Sequence, residues 1–142
     1  MKIVLFLAGV VLACQSASAN LFLTALENYE TYAAPYRDVC IRESGVEASA
    51  VDALFKTGDL QETEEMGLFI SCLMLNLGVL YPNGQLNEQN LMKYIGVQNP
   101  VLADLVFNTC KNTAMANSVS KTALKVAECL LFTIYSQEQH YA

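Results

Sequence analysis

The sequence has no tryptophan, one histidine and few positive charges, and each shortage removes a class of function. Without tryptophan it lacks a common aromatic anchor for a membrane interface and a stacking platform for a base. Eight Lys and Arg against fourteen Asp and Glu give a net charge of −6. No basic patch interrupts that balance, so neither a nucleic-acid backbone nor an anionic membrane surface is an expected partner. The single histidine, His140, stands near the end of the sequence. A Ser-His-Asp arrangement needs an imidazole held in place, and chain ends are seldom held. Paired carboxylates are the other route to acid–base work. Glu62, Glu64 and Glu65 instead mark a helix start, where negative charge offsets the helix dipole. There is no glycine-rich phosphate loop or dinucleotide fingerprint, and no Asn-x-Ser/Thr glycosylation signal. These shortages predict a protein that is not an enzyme and uses no cofactor.

The main apolar run comes first. Lys2 is followed by apolar residues from Ile3 to Ala13, then by small residues ending Ala17-Ser18-Ala19. A positive start, a short apolar core and an A-x-A end are the marks of a cleaved secretory signal. The run is too short for a membrane anchor. A bacterial lipoprotein signal ending at Cys14 would place Leu12 badly and leave the A-x-A unexplained. The expectation is a signal over residues 1–19 and one extracellular domain over residues 20–142. No later stretch is long and apolar enough to span a bilayer.

Cys14 would leave with that signal, and Cys40, Cys72, Cys110 and Cys129 would remain. An even count in an oxidising compartment implies two disulfides, and four cysteines allow three pairings. Zinc would want close C-x-x-C pairs, which are absent.

Punctuation along the chain predicts about six helices and no strand. Thr24-x-x-Glu27 reads as a capping box for a helix running toward Ile41, with Pro35 as a kink or break and Gly45 as its end. A short helix from Ala48 to Lys56 carries Val51, Leu54 and Phe55 on one side and stops at Gly58. A third spans Thr63 to Leu77, followed by a turn at Tyr81-Pro82-Asn83-Gly84. Asn87 caps a fourth that ends near Gly96. Asn99-Pro100 opens a fifth that reaches Asn112, and Asn117 or Ser118 opens the last, which reaches Ser136. All four remaining cysteines fall inside these helices.

Two of the helices are apolar on nearly every side: Met66 to Leu75, and Ala123 to Tyr135. Such helices should be buried on most faces. They permit either a filled core or an internal cavity. Tyr94, with an apolar ring and one hydroxyl, is a candidate to orient a ligand oxygen.

These residues resemble the insect odorant- and pheromone-binding proteins (PBP/GOBP). Cys40, Cys72, Cys110 and Cys129 match four of that family's six cysteine positions, while Leu68 and Ser120 stand at the other two. This is similar to the four-cysteine "Minus-C" subclass. The segment from Cys72 to Leu86, with its Asn83-Gly84-Gln85-Leu86 turn, is similar to the family's third helix and following turn. The resemblance implies an all-α fold of six helices around a closed apolar cavity. It implies pairing of Cys40 with Cys72 and of Cys110 with Cys129. Carried over from the cysteines, the ligand-binding positions are Leu26, Ala33, Leu54, Phe55, Ile70, Met74, Leu80, Leu86, Tyr94, Phe107, Val126, Leu130 and Ile134. The implied function is secreted transport of a small apolar ligand such as an odorant, a pheromone or a related lipid. A chemosensory receptor is the implied macromolecular partner, and a monomer or weak homodimer the implied assembly. The missing third bridge predicts a softer pocket and broader ligand choice. With His140 alone, a histidine-driven release is not expected. The competing reading is a secreted interaction protein with a filled core, acting through its surface.

Overall fold

A computed structural model describes residues 20–141, so the expected secretion signal lies outside the described residues. Among the described residues seven helices follow one another: α1 Leu21–Ala33, α2 Arg37–Ser44, α3 Ala48–Thr57, α4 Glu64–Asn76, α5 Glu88–Lys93, α6 Pro100–Cys110 and α7 Val119–Tyr141. Among the described residues there is no strand, only an isolated bridge between Leu80 and Leu86 that closes the Tyr81–Gly84 turn. The all-α class stands. The count rises to seven because Pro35 breaks the first predicted helix into two.

Local chemistry accounts for most boundaries. The Thr63 hydroxyl accepts from the Met66 amide at 3.1 Å, and the Asn87 side chain accepts from the Asn90 amide at 3.2 Å. Asn99 accepts from both Val101 and Leu102 ahead of α6, with Pro100 in the first turn. Ser118 accepts from Lys121 at 3.2 Å and so starts α7. Gly45 and Gly58 end α2 and α3 in the left-handed conformation that suits glycine.

One expected cap fails. Helix α1 begins at Leu21, three residues before Thr24, and no side chain caps it. Tertiary contact prevails over the local signal here. Phe22 packs edge-on against Tyr135 of α7 with ring centroids 5.5 Å apart, which draws the first turn into the helix. Helix α7 likewise runs past Ser136 to Tyr141.

Cys40 pairs with Cys72, joining α2 to α4, and Cys110 pairs with Cys129, joining α6 to α7. On the chain-entropy account, loops of 32 and 19 residues make each bridge worth about 3–4 kcal/mol. Helices α4 and α7 form the centre of the molecule. Met66, Phe69, Val126 and Ile134 on them are almost wholly shielded from solvent. Among the described residues no helix is long and apolar enough to cross a membrane.

Candidate ligand-binding site

An apolar pocket of about 100 Å³, partly open to the surface, lies between α1, α3, α4, α5 and α7. Its walls are almost entirely carbon. Helix α1 supplies Leu26, Tyr29, Tyr32 and Ala33, and α3 supplies Leu54 and Phe55. Helix α4 supplies Ile70, Leu73 and Met74, with Leu77 and Val79 just beyond it. Leu91 and Tyr94 close one side, and Ala127, Leu130 and Leu131 of α7 close another. Voids with such linings stay dry, so an apolar molecule entering this one displaces little ordered water.

The three tyrosines of the wall lie near one another. Tyr29 donates its hydroxyl proton to the Ile95 carbonyl at 2.5 Å, and burial, with Tyr32 nearby, raises its pKa above the ordinary tyrosine value. Tyr32 and Tyr94 meet edge to face with centroids 5.1 Å apart, and the Lys93 ammonium lies 5.2 Å from the Tyr94 ring. Both rings are half-buried. Among the described residues their hydroxyls have no protein hydrogen-bond partner, unlike that of Tyr29. The rest of the wall is apolar, with Met74 as its adaptable member.

Of the positions carried over by resemblance, the cavity brings together Leu26, Ala33, Leu54, Phe55, Ile70, Met74, Tyr94 and Leu130. The remaining five lie elsewhere. Val126 and Ile134 are fully buried in other parts of the core, and Leu80 is buried beside the Leu86 bridge. Leu86 is half-buried beside a polar surface groove, and Phe107 lies under the Lys111 ammonium. Tyr94 itself stands just after α5, as its C-cap, rather than within the helix.

Eight further wall residues were not among those positions. Several carry a readable signal. Ile70, Leu73, Met74 and Leu77 form an i, i+3, i+4, i+7 stripe, and Tyr29 and Ala33 extend the same spacing from Leu26. Val79 and Leu91 belong to a loop and a six-residue helix, where no period can develop.

Among the described residues no cluster of three or more His, Cys, Asp or Glu side chains could hold a metal ion. The geometry is that of a small helical binding protein: a disulfide-stapled set of helices around an apolar pocket. The family model for the PBP/GOBP family matches residues 24–132, and the chain belongs to that family of binding proteins. Compared with curated proteins one by one, it has no match.

Proposed function

We propose that this protein is a secreted carrier that takes a small hydrophobic molecule into the cavity between α1, α3, α4, α5 and α7. The observation that carries the reading is the carbon-walled void itself, since a packed core leaves few voids larger than a water molecule. Binding is driven by removing apolar ligand surface from water, at roughly 25 cal/mol per Å². The Tyr32 and Tyr94 hydroxyls meet one polar group of the ligand and set its direction. Leu26, Ala33, Leu54, Phe55, Ile70, Met74 and Leu130 contact its apolar body. Residues 1–19 direct secretion, and two bridges with Leu68 and Ser120 at the vacant positions support membership of the four-cysteine subclass.

A surface-acting protein would have Val101 and Phe132, 80% and 70% exposed, in its favour. Single exposed apolar residues are ordinary, however, and need no partner to explain them.

Ala127→Leu separates the two readings by pushing three more carbons into the void. Displacement of the apolar fluorophore N-phenyl-1-naphthylamine by odorants and fatty acids is the assay. The carrier reading expects saturable uptake at one site per chain, lost in Ala127→Leu while circular dichroism stays native. No uptake by folded, oxidised protein that mass spectrometry shows to be free of prebound ligand would reject it.

A further inference from the structure

The pocket buries carbon, and it is small. At about 100 Å³ it is below the roughly 150 Å³ of an engineered void that holds benzene. It is also partly open to the surface, so a ligand longer than a few carbons keeps part of itself outside the wall. The groups standing at the opening then decide which ligands are favoured.

Exposure locates that opening. Every wall residue is buried except Tyr29, Tyr32, Leu77, Tyr94 and Leu131, which are half-buried. Solvent therefore reaches the pocket past these five. Leu77 and Leu131 bring no polar side-chain atom. The Tyr29 hydroxyl proton is already given to the Ile95 carbonyl. Tyr32 and Tyr94 touch edge to face and keep their hydroxyl protons for another acceptor. A cation stands beside them. Lys93 is exposed, and its ammonium lies 5.2 Å from the Tyr94 ring centroid. Among the described residues no carboxylate forms an ion pair with it. Its four-carbon stem is flexible, so the ammonium can turn from the ring toward a neighbouring ligand atom.

Two phenolic hydroxyls and an ammonium make one chemical demand. A carboxylate accepts only, at about four lone-pair sites, and carries the complementary charge. A neutral ester or aldehyde carbonyl has no charge, and its hydrogen bonds are roughly half as strong. An alkylamine would meet Lys93 as a like charge. The carbon wall fixes the direction, because a carboxylate pushed inside would be a buried charge with no partner. The net charge of −6 opposes any anion, but salt screens exposed charges beyond about 8 Å, which leaves the adjacent ammonium dominant.

We propose that the favoured cargo is a carboxylate amphiphile, its tail in the pocket and its head group held at the opening by Lys93, Tyr32 and Tyr94. The proposal rests on the carrier reading and names the class of its ligand. Lys93 is the residue that sets specificity: the hydroxyls serve neutral and anionic heads alike, whereas the ammonium favours the anion. A carboxyl titrates near pH about 4 and lysine near about 10, so this preference holds between pH 8 and pH 5.5.

The test uses oxidised protein secreted by insect cells from the full sequence. Octanoic acid and methyl heptanoate are isomers that differ in charge at pH 8. Each is used to displace N-phenyl-1-naphthylamine from the wild type and from Lys93→Met. In the wild type the Kd of the ester should exceed that of octanoate about threefold to tenfold, the scale of one partly exposed charged contact with its hydrogen bonds. The ratio should fall to about one in Lys93→Met, and should shrink in the wild type between about 0.02 M and about 0.5 M NaCl. Equal displacement by acid and ester in the wild type, or a preference that survives Lys93→Met, overturns the head-group assignment and leaves the carrier reading standing. So does a wild-type ratio that salt does not change, since packing of the Lys93 stem would then carry it. No uptake of the fluorophore by folded, ligand-free wild type overturns both.

Discussion

Tyr29 shows how one side chain can serve the core and the backbone at once. Its ring faces the cavity and its hydroxyl gives its proton to the Ile95 carbonyl. Burial, and then Tyr32, make the phenolate unfavourable, so the folded chain holds this proton more tightly than the unfolded one. Below pH about 10, the ordinary tyrosine value, both states are protonated and stability does not depend on this group. As pH rises beyond that value the unfolded chain loses the proton first, and folding stability falls. Tyr29→Phe should lower stability by about 1 kcal/mol at neutral pH through the lost hydrogen bond, yet show a shallower decline above pH 10. Urea melts of both proteins between pH 7 and 11 measure this. Parallel declines would show that Tyr29 does not titrate between the two states. The doubled role was not legible in the sequence. The spacing of Tyr29 from Leu26 and Ala33 marks a shared helix face, but nothing local pairs it with a carbonyl 66 residues away.

Among elements, the contact between α4 and α7 is made through a glycine. Gly67, beside Leu68, brings α4 so close to α7 that a Cβ on it would lie 3.0 Å from the Ser120 carbonyl oxygen and 3.1 Å from the Leu124 side chain. Backbone proximity thus joins the two helices beside Leu68 and Ser120. Gly67→Ala gains about 1 kcal/mol of helix propensity but must displace a backbone carbonyl, and overpacking of this kind costs about 1–3 kcal/mol. The net expectation is a loss of about 1 kcal/mol, read as an earlier urea midpoint with an unchanged slope. A gain in stability would mean that α7 yields easily at this point, as a soft pocket requires. Helix identity itself was largely legible, because Thr63, Asn87 and Asn99 cap through atoms two or three residues away. Thr24 shows the limit: an equally good local signal is overruled by the packing of Phe22 on Tyr135.

For the molecule as a whole, the charge pattern and the cavity are separate systems. The wall residues include no carboxylate, imidazole or amine. Ligand affinity should therefore vary by less than about threefold between pH 8 and pH 5.5, the interval in which histidine ordinarily changes charge. Fluorophore displacement across that range checks this, and a step near pH 6 would mean that a group outside the cavity controls it. Saturating ligand should also raise the melting temperature in proportion to the logarithm of its free concentration, since it binds the folded chain alone.

Composition and spacing alone determined the all-α class, most helix boundaries and the burial of α4 and α7. Each follows from interactions within a few residues or from the proportion of apolar side chains on a helix. The disulfide partners and part of the cavity wall were accessible through resemblance to a family pattern rather than through local physics. Only the tertiary structure decided that the void takes Ala127 and Leu131 with Leu130 but leaves Val126 and Ile134 to the core. It also decided that Leu91 and Tyr94 close one side, and that Asn28 and Tyr29 hold the segment carrying them. A sequence period shows which residues share a helix face. Where a void begins and ends depends on how far apart the helices stand, and contacts across the whole chain set that distance.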